Sequence, residues 1–491
     1  SHFGSSPLLS RLAAEGGVIA RRIAAAAGAG EMAVDPSGVP FADLPGLGDS
    51  EYPGFPVDVC PDEMPNLSKH YSVVADVLKK EPELYSRLRG KRTSLGVGLA
   101  RCIKTGMDNR GHPMIKTLGA VAGDGECYEA FRELFDALIT MRHGQGRVSR
   151  PHAVDSAART LTAARADATG RYVQSAQVRV ARNLQGRRFP AATTLEERRE
   201  VERAAAAALL ELRGPLEGRY YPLRGSQSYA ARPGGMSAEE ELELTRGGLL
   251  FSAPDSTSAL CSGVGRHWPD ARGVFVSGSR TLSVWVNEEE HLRAVAVRKG
   301  DDVQAAFSEV QDALASVAAS LERSGGGPKG FAHSERLGYL TSCPANLGTA
   351  MRASVIVRLP LLASQQHGEL VEWCAQRGLV VRGAIDESGS QLKGVLEISN
   401  RDRLGASAVE TVNLLVEVVA ELVAAEQRLE DGGAGLQLRP KAVEVAPPTP
   451  PCATVATSNP VDEEVTWEVA GQTLGLLFAE AVANAAPAMA Q

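Results

Sequence analysis

Thr341 to Pro360 reads TSCPANLGTAMRASVIVRLP, and the rest of the chain is organised around it. A thiol, Cys343, stands beside the turn-forming run Asn346-Leu347-Gly348, and a cation isolated in sequence, Arg352, follows. Val355, Val357 and Leu359 then alternate with Ile356 and Arg358, which predicts a strand over residues 353–359 with one buried face. A cysteine and an arginine at the mouth of a strand suit anion handling beside a nucleophile or polarising group. On its own the stretch would more simply describe a buried thiol and a surface arginine.

Working outward, 491 residues predict two domains plus extensions. Charged and apolar fractions of 23% and 44% suit a globular chain with a sizeable core. A net charge of −7 argues against nucleic acid as a general partner. The seven cysteines (60, 102, 127, 261, 343, 374 and 452) include no C-x-x-C pair and suit reduced thiols. No histidine falls at zinc-ligand spacing from them, so no protein side chain is assigned to a metal. No apolar run reaches the length of a transmembrane segment.

Residues 1–65 read as an arm. Its first 33 residues are rich in Ala, Ser and Arg and poor in acids, which fits an organelle-targeting leader, mitochondrial in character, or else a flexible or partner-bound leader. Residues 34–65, rich in Pro, Gly and Asp, read as extended. From 66 to 142 the pattern is helical, with Val73, Val74, Val77 and Leu78 on one face. Residues 143–170 form a polar linker. The second domain, 171–433, contains a capping box at Thr194–Glu197 opening a helix to about Leu212. Strands are expected at 273–276, 282–286, 353–359, 379–382 and 394–398, and a closing amphipathic helix at 407–429. Strands and helices without strict alternation predict an α+β fold with an antiparallel sheet flanked by helices. Residues 434–491 read as a Pro-rich tail followed by an amphipathic docking helix over 463–486, the segment through which the chain would join a larger assembly.

The motif C-P-x-N-L-G-T-x-x-R-A-S-V-x-V-x-L-P resembles the signature of the phosphagen (guanidino) kinases, the family of creatine and arginine kinases. Further similar motifs follow in order at 105–136, 177–190 (QVRVARNLQGRRFP), 265–275, 282–293 and 396–405 (LEISNRDRLG), so the likeness spans about residues 66–433. EYPGFP (51–56) is similar to the segment before the first helix of mitochondrial creatine kinases. The resemblance implies a small all-α amino-terminal domain, a dimer or larger assembly, and reversible phosphoryl transfer between Mg·ATP or ADP and a guanidino acceptor.

That chemistry needs cations around the phosphates, a metal, and a group that holds and deprotonates the acceptor. Arginine suits the first task, since its planar fork grips phosphate oxygens and keeps its charge. The resemblance implies a phosphate clamp of Arg179, Arg293, Arg352 and Arg382, with Gln177 where the family has a fifth arginine. The removal of one such donor typically slows catalysis about 10²–10³-fold. Gly248 and Ile356 stand where the family has histidines, and Glu397 replaces a nucleotide-contacting Asp. Glu289 matches the catalytic carboxylate, with Glu288 before it and Glu290 in place of an Asp. Three consecutive glutamates would otherwise read as a solvated run. Cys343 matches the reactive thiol, and Ala345 replaces a hydroxyl residue that would lower its pKa. Ile115, Leu118, Gly119 and Val121 match the pocket segment of creatine kinases. Glu387 lies where arginine kinases carry a second carboxylate. Creatine is placed slightly ahead of arginine, and a degenerate, structural member of the family is the alternative to an active enzyme.

Overall fold

In a computed structural model of the chain, the described residues are 54–113, 116–147, 151–153, 156–157, 160–162, 165–254, 257–324, 329–385 and 391–436. The expected leader, docking helix, Ile115 and Glu387 lie outside them.

The amino-terminal domain is helical, as its pattern predicts: α1 (Val73–Lys80), α2 (Pro82–Leu88), α3 (Leu99–Asp108), α4 (Cys127–Ala130) and α5 (Arg132–His143). Ser72 caps α1 by accepting from Ala75 N at 3.3 Å. Proline opens α2, where its missing N–H costs nothing. Helix α3 is buried on all sides. Its polar Lys104 and Asp108 pair at 2.7 Å and fasten the incoming arm at Phe55 through the backbone oxygen (2.6 Å) and nitrogen (2.6 Å). Gly106 is obligatory here, because a Cβ would sit 2.5 Å from the carbonyl oxygen of Gly119.

The second domain is built on an eight-stranded antiparallel sheet of order β2-β3-β4-β5-β1-β8-β10-β9. The strands are β1 (Val173–Arg182), β2 (Gly218–Pro222), β3 (Gly273–Ser277), β4 (Leu282–Val286), β5 (Leu292–Lys299), β8 (Met351–Arg358), β9 (Leu379–Ile385) and β10 (Gln391–Asn400); β6 (His333–Ser334) and β7 (Gly338–Tyr339) form a separate hairpin. Helices α6 (Leu195–Leu210), α9 (Val303–Arg323), α10 (Pro360–Gln365), α11 (His367–Gln376) and α12 (Ala408–Glu430) surround the sheet, with α7 (Ala238–Arg246) and α8 (Thr257–Ser262) in the β2–β3 connection. The capping box at Thr194 forms as the sequence predicts, and a second one at Ser407 opens α12.

Three strands of the large sheet (β1, β2 and β5), both strands of the β6–β7 hairpin and the long helix α9 lie beyond the sequence expectations. Strand β1 buries Ala176, Val178 and Val180 in the core and carries Gln177 and Arg179 on the other face, whereas β5 buries Leu292, Ala294 and Ala296 with Val295 and Val297 beside Arg293 on the other face, which blurs its alternation. Helix α9 packs on β1 and β5 and buries Val303, Phe307, Val310, Leu314, Val317 and Leu321, a helical apolar period that is present in the sequence. Strand β8 corrects the expected single buried face. Ile356 is only 5% exposed and packs with Ala384 and Val395, leaving Arg358 as the exposed residue.

Glu426, wholly buried on α12, accepts from the backbone nitrogens of Leu361 (2.7 Å) and Leu362 (2.8 Å) at the start of α10. Glu426→Ala leaves both donors orphaned and should cost about 2–4 kcal/mol, with Glu426→Gln costing less. Urea unfolding checks this; equal midpoints for wild type and Glu426→Ala would refute the tie.

Candidate active site

The sheet register gathers the cations. Strands β1 and β8 pair antiparallel with Arg179 directly opposite Arg352, so both side chains leave the same face. Arg293 on the adjacent β5 and Arg403 beyond β10 act electrostatically on Arg179. Burial, reinforced by Arg293, Arg352 and Arg403, pushes Arg179 below the usual arginine range, and its Nη1 is buried without a hydrogen-bond partner. A cluster of like charges holding an orphaned donor is prepared for a polyanion. Arg352 is not the isolated cation that its sequence setting suggests: Glu397 on β10 meets it at 2.8 Å, the two side chains being 7% and 13% exposed. Arg382 on β9 lies across from Glu397, which in turn lies across from Ile356, so two of the departures and one clamp residue share a single cross-strand row. Gln177, 7% exposed, occupies the middle of β1 opposite Val297 and Ser354. Gly248 ends the turn after α7 with φ +63°, donating to the Thr245 carbonyl at 3.0 Å.

The three glutamates are not a solvated run. Asn287, with φ +58°, turns the chain out of β4, and its buried amide donates to the carbonyls of Arg198 (2.9 Å) and Ala271 (2.8 Å). Arg293 is then held from both sides, by Glu288 at 3.0 Å and by Glu289. Glu289 is the more open of the two carboxylates, its side chain 28% exposed against 13% for Glu288. Burial raises Glu288 above the usual carboxylate range; Arg293 opposes this and Glu289 adds to it. Burial opposes the charge of Arg293, and the two glutamates more than offset it, so Arg293 is held above its usual value.

Glu290 turns the other way, into the protein. It accepts from Ser342 N (2.8 Å), from Ser342 Oγ (2.9 Å) and from the side-chain amide of Asn183. It is 1% exposed, and burial lifts its pKa to about 7 against these hydrogen bonds. Ser342 Oγ also lies 3.2 Å from the Glu289 carbonyl, so the acidic turn and the Cys343 loop are one hydrogen-bonded unit. Cys343 is partly exposed, whereas Cys60, Cys102, Cys127, Cys261 and Cys374 are buried. The small domain holds this loop: Tyr128 OH reaches the Thr341 carbonyl (2.7 Å), Ala122 N the Ser342 carbonyl (2.7 Å) and His143 Nε2 the Pro344 carbonyl (2.9 Å). Ala345 is buried, and its carbonyl accepts from Arg403 at 3.2 Å.

The described residues expected in the substrate pocket lie along one segment of the small domain. Leu118 is 3% exposed and belongs to the small-domain core, and Gly119, with φ +70°, packs against Gly106 and Ser72. Val121 is half-buried and donates to the Cys102 carbonyl at 2.8 Å. Sequence reasoning overlooked Arg403, Asn183 and Ser342, all inside motifs quoted above, and the site role of Tyr128. Their signal was motif membership without a chemical reason, which only the contacts supply. Among the described residues no three His, Cys, Asp or Glu side chains gather as a metal site. The cationic face with its orphaned donor fits nucleotide phosphates, and a divalent ion would arrive on them.

Comparison with known proteins agrees with this arrangement. The family model described as ATP:guanido phosphotransferase, C-terminal catalytic domain, matches residues 200–429, and the corresponding N-terminal domain matches 68–140. The chain is 40% identical to creatine kinase M-type of Gallus gallus over 369 residues, 75% of this chain and 92% of that protein. Among solved structures it is similar to a lombricine kinase (TM-score 0.67, 36% identity, 76% of this chain and 96% of that one). It is also similar to the duplicated taurocyamine kinase of Schistosoma mansoni with bound transition-state-analogue components (TM-score 0.64, 31% identity, 74% of this chain and 47% of that one). With its helical small domain, its eight-stranded antiparallel sheet and relatives of this identity over nearly their whole length, the chain belongs to the ATP:guanido phosphotransferase, or phosphagen kinase, family.

Proposed function

We propose that the chain is an active phosphagen kinase that transfers a phosphoryl group between Mg·ATP and a guanidino acceptor, creatine ahead of arginine. The observation that carries this reading is the continuity of the acceptor side: Glu289, Arg293 and the Cys343 loop form one unit through Ser342. Arg179, Arg293, Arg352 and Arg382 would neutralise the phosphates, and a divalent ion brought in on the nucleotide would add positive charge there. Glu289 would accept the guanidino proton as the nitrogen attacks, with Glu288 and Arg293 fixing its orientation. The Cys343 sulfur, as thiolate, would face the acceptor's positive charge.

A second reading, a catalytically degenerate member serving as a subunit of a larger assembly, is favoured by Gln177, Gly248, Ile356 and the Arg352–Glu397 pair, all on the nucleotide side. Calorimetry of Mg·ADP binding, with creatine plus nitrate or arginine plus nitrate, separates the two. Nitrate stands in for the planar transferring group, so tighter binding with one guanidino compound supports the kinase and identifies its acceptor. No heat at millimolar nucleotide refutes it.

Three outcomes follow for the site. Glu289→Gln should lower transfer about 10²–10⁴-fold in a coupled assay while Mg·ADP still binds; unchanged turnover would remove Glu289 from the base role. Glu397→Asp shortens the side chain that occupies Arg352 and should tighten Mg·ADP about tenfold, or ~1.4 kcal/mol. Equal affinity would show that the pair is no obstacle. Glu290 has a folded pKa raised from 4.5 to about 7, so the folded state binds the proton more tightly than the unfolded state. Its contribution is full below about pH 4.5 and is lost as pH rises towards 7. Urea midpoints between pH 5 and 8 should therefore fall less in Glu290→Gln than in wild type, and parallel curves would contradict this.

A further inference from the structure

Behind the acidic turn lies a second group of cations that the phosphoryl-transfer site does not use. Arg198 on α6 has no exposed surface. Its Nη2 donates to the Pro190 carbonyl at 2.9 Å, and its Nε and Nη1 are buried without a partner. Arg272, also without exposed surface, donates to the carbonyls of Asp270 (3.2 Å), Val264 (2.5 Å) and Arg266 (2.9 Å), and its Nε is orphaned. Arg266 donates to the carbonyls of Gly263, Ala191 and Thr193. His267 has φ +64° and an orphaned buried Nδ1; burial, followed by Arg198, Arg266 and Arg272, holds its pKa down to about 3.

The acids nearby are committed elsewhere. Asp270 binds Arg199 at 2.7 Å and the Gln227 backbone at 2.7 Å, and Glu202 binds Tyr220 (2.9 Å) and Ser228. Glu288, paired with Arg293 at 3.0 Å, Asp270 and Glu202 reach Arg272 electrostatically, but among the described residues the charges that act on Arg198 are Arg272 and Arg266, both positive. A wholly buried charge without an opposite partner is among the costliest arrangements in a folded protein. Arginine does not escape by giving up its proton at ordinary pH. Water could satisfy the orphaned N–H groups but would leave the charge uncompensated.

We infer that Arg198, Arg266, Arg272 and His267 enclose a binding site for a small monovalent inorganic anion of the halide class. A monatomic ion suits N–H donors that have no exposed surface, and a bulkier carboxylate or polyphosphate does not. The site also has a structural task. The carbonyls of Arg198 and Ala271, which flank it, are the two acceptors that hold Asn287 at the base of Glu288 and Glu289. A bound anion therefore steadies the turn that carries the candidate base, whether or not the chain transfers phosphate.

The test is thermal unfolding of the full chain at constant ionic strength and pH 7.5, with chloride replacing gluconate. Chloride should raise the wild-type Tm in a saturable manner, by roughly 2–4 °C. The response should persist in Arg179→Met, which removes a cation from the phosphate clamp, and vanish in Arg198→Met. A flat wild-type response, or one lost with Arg179 and kept without Arg198, overturns the proposal. If Arg198→Met does not fold, wild-type crystals grown in bromide decide. An anomalous peak among Arg198, Arg266 and Arg272 supports the site, and its absence there refutes it.

Discussion

Glu290 ties the architecture together. A single buried carboxyl accepts from Asn183 at the end of β1 and from both the backbone and the hydroxyl of Ser342, next to Cys343. It thereby joins the central strand of the sheet, the acidic turn and the thiol loop. Hydrogen bonds inside a poorly polarisable interior are stronger than in water, and an unmade one costs correspondingly more. The position of the thiol relative to Glu289 thus depends on a residue that takes no part in the chemistry.

Around that tie the protein balances charge. Arg179 and Arg352 face each other across two strands, with Arg293 and Arg403 nearby, an arrangement that would repel itself in the absence of ligand. Glu288 and Glu289 hold Arg293, and Glu397 holds Arg352. In the proposed phosphoryl transfer, the glutamates that hold these arginines would have to release part of that hold to the incoming phosphate. The departures from the family pattern concentrate on that release: Gln177 removes one cation, and the longer Glu397 keeps another occupied. The acceptor side, by contrast, retains its connections.

The small domain contributes more than a lid's worth of surface. Phe189, Leu337, Leu340, Leu347 and Leu404 of the large domain belong to the same apolar cluster as the small-domain helices. Tyr128, Ala122 and His143 contact the backbone carbonyls of Thr341, Ser342 and Pro344 in the Cys343 loop. The loop is therefore fixed from both sides, by Glu290 beneath and by the small domain above.

Much of this was legible in the residues themselves. The helical period of Val73, Val74, Val77 and Leu78, the capping box at Thr194, and the alternation leading into Arg358 each follow from local rules and appear as elements. The ordered motifs named the clamp arginines and Glu289 before any geometry was available. Strand β5 was not legible, since Val295 and Val297 lie opposite Leu292, Ala294 and Ala296 and blur its alternation, whereas β1 and helix α9 carry regular apolar periods that were overlooked. Nor could the chain order reveal that Arg352 meets Glu397 45 residues away, that Leu118 belongs to a core, or that Arg198 is buried among cations. The sequence by itself determined the family, part of the element order and the identity of the chemical groups, because those depend on neighbours within a few residues or on motif order. Only the tertiary structure decided which charges are paired, buried or left without a partner, because electrostatic energy depends on distance and solvent exclusion between strands that the chain brings together from far apart.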